Sequence, residues 1–224
     1  MIVTCSHYRS TTTRYWKSQL GCRLPVRIAN SSCEAWAVDA LVAASHAQPA
    51  LAETILADNQ KLSQCQSSWG ETAIQAASHL GHKALVWRII EAGADLDLFS
   101  ACAVGDQAAV MSRYNPKRPD ICGVHGLPLL HFAIMGGAAG IVEALLAAGV
   151  EVNLNRAALP PLHSAVASGR HDLVRLLLDA GADATACDAY GATALDWARE
   201  LDVDVSISAR QPLMRDQFGR VNMA

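Results

Sequence analysis

Three pairs of glycines, each pair twelve residues apart, constrain this chain more than any other feature: Gly81 and Gly93, Gly137 and Gly149, Gly169 and Gly181. Between the first pair, Leu85, Val86, Ile89 and Ile90 make an apolar stripe at helical spacing. Glycine ends a helix cheaply because it enters the left-handed region without a Cβ penalty. An alanine stands four residues before the first glycine of each pair (Ala77, Ala133, Ala165), and Ala101 before Gly105 follows the same rule. A small residue one turn from the break lets neighbouring helices approach closely. The segment after each second helix also repeats: Ala92-Gly93-Ala94-Asp95, Ala148-Gly149-Val150-Glu151 and Ala180-Gly181-Ala182-Asp183. One such pair of short helices cannot cover its own apolar face, so it must stack on copies of itself.

The turn before each first helix carries a second signature. It reads Thr72-Ala-Ile-Gln-Ala-Ala77, Pro128-Leu-Leu-His-Phe-Ala133, Pro160-Pro-Leu-His-Ser-Ala165 and Thr193-Ala-Leu-Asp-Trp-Ala198. Turn positions Gly126, Ala158 and Gly191 follow at spacings of 32 and 33. These units resemble ankyrin repeats, whose period is about 33 residues with a T-P-L-H-x-A signature. The resemblance covers about residues 67–202, and 34–66 more weakly. It implies an all-α solenoid of stacked antiparallel helix pairs with short β-hairpin or turn connections and about five units. The expected organisation is a basic leader over 1–33, the array over 34–202, and an irregular tail over 203–224.

Three departures stand out. Gly70 and Gly126 are 56 residues apart where two repeats need about 66, so the unit at 97–121 has lost its projecting turn and is expected to interrupt the groove. Pro128 and Pro160 replace a capping threonine, and Ala158 stands where glycine normally takes a positive φ. The last unit stops early, without the second helix of a cap.

Composition supports short helices: apolar residues are 51% of the chain and aromatics 5%, so alanine and leucine carry the apolar content. A net charge of −3 gives no case for nucleic acid. Residues 1–33 hold Arg9, Arg14, Lys17, Arg23 and Arg27 with no acid. They read as a disordered leader or an upstream extension, in preference to a transit peptide. No apolar run approaches the roughly 18 residues of a membrane span. Seven scattered cysteines without an export signal point to reduced thiols and a cytoplasmic setting.

Little in the sequence suggests catalysis. There is no G-x-S-x-G, no phosphate-binding glycine loop and no Cys–His hydrolase signature. The pairs Asp95/Asp97 and Asp202/Asp204 lie at helix stops or turns, where solvated aspartate is ordinary. His131 and His163 fill the signature histidine, which the resemblance assigns to tying the turn to the helix start. His79 and His82 are three apart, but no third ligand is evident. Cys5, His7, Cys22 and Cys33 lack the C-x₂₋₄-C spacing of a structural zinc site. The expectation is therefore a non-enzyme with neither metal nor cofactor: a monomeric protein-binding module without nucleic-acid or membrane partners. By resemblance, contacts come from the concave face and turn tips: Trp69, Glu71, His79, Leu80, His125, Leu127, Met135, Arg156, Leu159, Ser168, Tyr190 and Ala192. Trp36, Trp87 and Trp197 are expected to pack within or between helices. The alternatives are an imported or secreted effector using the same array, and, ranked lower, an enzyme or metal protein with its chemistry in the flanking segments.

Overall fold

The computed structural model describes residues 33–201; the leader short of Cys33, and residue 202 with the tail at 203–224, lie outside the described residues. Two compact units divide at Val150 and Glu151. The first contains α1 (Cys33–Ala47), α2 (Pro49–Asp58), α3 (Ala73–His79), α4 (Lys83–Glu91), α5 (Leu98–Val104), α6 (Gln107–Arg113), α7 (Leu129–Met135) and α8 (Ala139–Ala147). Short 3₁₀ segments occupy Gln60–Gln64 and Val124–Gly126. The second unit contains α9 (Pro161–Ala167), α10 (His171–Asp179) and α11 (Ala194–Glu200).

Local sequence explains the helix starts. Thr72, Asp97 and Thr193 each close a capping box with the residue three positions on, satisfying two free N–H groups reciprocally. Pro128 and Pro160 begin α7 and α9 without any side-chain cap. In the first unit Leu41, Val42, Leu85, Val86 and Ile89 are fully buried; in the second, Leu162, Leu173, Leu177 and Trp197 are.

The expected β-hairpins are absent. Among the described residues there is no strand, only isolated antiparallel bridges at Gln66–Thr72, Cys122–Pro128 and Cys187–Thr193. Each tip is a tight turn: the Ser67, Gly123 and Asp188 amides donate to the carbonyls of Glu71, Leu127 and Ala192 at 2.8–2.9 Å. One such pair cannot propagate, because the chain enters a helix immediately afterwards and no second rung forms. At Ala158 even the bridge is missing; that residue takes φ 50, the positive value its position requires.

Six residues separate α4 from α5, against 13 to 15 wherever a tip is present. The tips on either side of this gap are not held apart. Helix α3 contacts α7 as well as its neighbour α5. A Cβ added at Gly81 would fall within 3.0 Å of the Met135 carbonyl oxygen, and one added at Gly136 within 3.0 Å of the Ala103 carbonyl oxygen. Glycine is required at both positions by this close approach, and at Gly81 also by a φ of +71.

Candidate functional site

The collapsed gap brings together residues distant in sequence. Glu71 ends the first tip, at the position held by Leu127 and Ala192 in the other tips. It is 1% exposed. A buried carboxylate is costly unless paired, and three histidines surround this one. His46 Nε2, near the end of α1, stands 3.4 Å from Glu71 Oε2. His79 Nδ1, at the end of α3, is 3.5 Å from Oε1, and His125 Nε2, on the next tip, is 3.3 Å from Oε1. The His79 ring lies 5.0 Å from that of His46 and 5.2 Å from that of His125, centroid to centroid.

Several outer contacts orient this cluster. His46 Nδ1 donates to the Val42 carbonyl at 2.8 Å. A carbonyl can only accept, so Nδ1 carries the proton and the Nε2 lone pair faces Glu71. His82 Nε2 donates to the His46 carbonyl at 3.2 Å, and His131 Nε2 to the His79 carbonyl at 2.8 Å. Trp69 Nε1 donates to Glu71 Oε2 at 3.2 Å. His125 adopts φ 58, a left-handed conformation unusual for a side chain with a Cβ.

The electrostatics follow from burial and proximity. Burial alone would push the Glu71 carboxyl up. The hydrogen bond from His125 and the proximity of His46 and His79 outweigh it and hold the carboxyl well below the usual carboxylate range. Burial, and then His46, push the His79 imidazole well below its ordinary value, while Glu71 pulls the other way.

The residues expected at a partner surface separate by burial. Glu71, His79, Leu127 and Leu159 are buried and offer no surface, because the tips fold down onto the first helices rather than standing clear as hairpins. Leu80, Met135, Ser168 and Ala192 are half-buried; Arg156 is exposed. Trp69 and Tyr190 are 48% and 51% exposed. Trp197 is buried, its Nε1 donating to Asp188 Oδ2 at 2.9 Å. Trp36 and Trp87, expected to pack between helices, are instead exposed at the surface.

The signature histidines link repeats rather than closing their own turn. His163 Nε2 donates to the Ala192 carbonyl at 3.0 Å, in the following tip, and His131 reaches back to His79. Burial lowers both imidazoles, His131 to about 4. Sequence reasoning paired His79 with His82 and found no third ligand. The structure turns His82 to the His46 backbone and supplies His79 with His46, Glu71 and His125. One signal was available: His125 and Glu71 both lie at tip positions flanking the missing turn.

The family model described as "Ankyrin repeats (3 copies)" matches residues 98–188 and 130–205. A comparison with curated proteins finds no match. The matched residues include the capped turn at Thr193, the signature histidines His131 and His163, and the glycine helix stops from Gly105 to Gly181. Residues 98–205 of the chain match the ankyrin-repeat family and carry its repeats.

Proposed function

We propose that the chain binds a partner protein through its turn tips and the concave-face ends of its first helices, with Trp69 as the anchor in the first unit and Tyr190 in the second. The ankyrin repeats over 98–205 support a general protein-interaction role without catalysis. The observation that carries the finer reading is the exposure of these two aromatic side chains, each next to the left-handed glycine of its turn. Aromatic residues supply large rigid contact area and are enriched at interface anchors. Leu80 and Met135 in the first unit, and Arg156, Ser168 and Ala192 in the second, are the proposed surrounding contacts.

Among the described residues no helix is long and apolar enough to cross a membrane. Cys65, Cys102, Cys122 and Cys187 are free thiols, which supports a reducing, cytoplasmic setting. The proposed working form is a monomer.

The test is capture by the immobilised full chain from its native host, compared with Trp69→Ala, Tyr190→Ala and the double variant. Circular dichroism checks that the helices persist. The proposal expects each single variant to weaken capture and the double variant to abolish it. Undiminished capture by a helical double variant would remove the tips from the binding surface.

A further inference from the structure

We propose that His46, Glu71, His79 and His125 form a binding site for one divalent transition-metal ion of the zinc type, which clips the turn tip carrying His125 onto α1 and α3. One ring nitrogen from each histidine and one carboxylate oxygen lie within 4.8 Å of one another. Zinc bonds of about 2.0–2.1 Å in a tetrahedron place ligand atoms roughly 3.3 Å apart. The His125 and His46 nitrogens, 3.3 and 3.4 Å from Glu71 oxygens, are already close to that edge. His79 Nδ1 donates to the Gln75 carbonyl at 3.0 Å, so Nε2 is the nitrogen His79 offers.

Three further observations point to a cation. His46 directs a lone pair at a carboxylate. Among the described residues its Nε2 has no hydrogen-bond partner, although Glu71 Oε2 is 3.4 Å away. Two acceptors facing each other need a proton or a metal between them, and a metal brings His79 and His125 into the same shell. The His46 Nδ1–Val42 carbonyl bond is the outer contact that orients metal-binding imidazoles, fixing the tautomer and raising the basicity of the other nitrogen. His125 holds its left-handed backbone at the tip that faces Glu71, and such conformations persist where the surroundings impose them.

The donor set selects the ion. Three imidazoles and one carboxylate suit zinc, and also cobalt, nickel or copper, rather than the all-oxygen preference of calcium and magnesium. Four protein ligands close a tetrahedral shell, so the site is structural. The ligands span positions 46 to 125, and His125 reaches the other three across the segment that lacks a turn.

The test uses the full chain, stripped with a chelator and titrated with Zn²⁺ against a chromophoric competitor. One equivalent is expected to bind, and Co²⁺ in its place is expected to give the visible bands of a tetrahedral ion without thiolate charge transfer. His125→Gln, at the most exposed ligand, and Glu71→Gln should each weaken binding at least ~10-fold, with His171→Gln unchanged. Zn²⁺ should raise the melting temperature of the wild type and not of His125→Gln, whose helicity serves as the folding control. No stoichiometric binding, octahedral cobalt spectra, or equal affinity in wild type and His125→Gln would each overturn the proposal. Thiolate charge transfer would also overturn it, by placing the ion on cysteines.

Discussion

Substituting alanine at three glycines separates close approach from backbone conformation. Gly81 has both constraints: φ +71 and a backbone oxygen within reach of a new Cβ. Gly136 has only the second, since its φ is −72. Gly169 has only the first, with φ +66 and nothing within 4 Å of a Cβ. A left-handed alanine costs roughly 1–2 kcal/mol, so Gly169→Ala should destabilise by about that amount. Gly136→Ala would otherwise stabilise by about 0.4–1 kcal/mol through the unfolded state. Overpacking against the Ala103 carbonyl costs about 1–3 kcal/mol, which should reverse the sign. Gly81→Ala combines both penalties and should cost about 2–5 kcal/mol. Because stacked repeats need not unfold as one, native-state amide exchange reads each unit separately, at Val86 for Gly81 and Gly136 and at Val174 for Gly169. The expected order of loss is Gly81 well above Gly136. If Gly136→Ala stabilises, or Gly81→Ala costs no more than Gly169→Ala, then α3, α5 and α7 are not in the tight register described.

Ile89→Ala, at a fully buried position in α4, should destabilise by about 2–5 kcal/mol in urea unfolding; a change near zero would place α4 outside the core. Thr193→Ala removes the oxygen that accepts from the Asp196 amide and should cost about 1 kcal/mol, read as faster amide exchange in the first turn of α11. His163 makes stability depend on pH. Burial lowers its pKa, against the opposing pull of the Ala192 carbonyl, Asp188 and Asp196, and its Nδ1 has no partner among the described residues. The unfolded chain therefore binds the extra proton first. The stabilisation is complete above the unfolded value of about 6.5 and is lost as pH falls below it. Urea unfolding across that range should show the loss, with a shallower dependence in His163→Gln.

The repeat architecture was legible because its determinants are local. The twelve-residue glycine spacing, the alanine one turn before each break and the Thr/Pro-x-Leu-His starts each act within one helix pair. Ala158 likewise takes the positive φ its place in the period demands. Hairpins were expected from resemblance, but whether a turn extends into strands depends on how far the chain runs before the next cap. Here Thr72 and Thr193 start helices at the first bridge. The cluster at Glu71 was hidden for a different reason. His46 and His125 lie 25 and 54 residues from it, and no spacing rule joins them. The missing turn was visible as a shortened period but was read as an interruption of the groove. Physically, removing a turn from between two tips removes what would hold them apart, and the tips close on each other.

That closure is the central claim, and ring-proton contacts in solution test it most directly. In the protein labelled at histidine, nuclear Overhauser spectra should connect the His79 and His125 rings, whose centroids are 5.2 Å apart. They should also connect His79 to His46, at 5.0 Å. With a full repeat between them the two tips would stand roughly 20 Å apart, two helix–helix spacings. A His79–His46 contact with no His79–His125 contact would contradict the account, by showing α1 and α3 packed while the tip beyond the missing turn stands away.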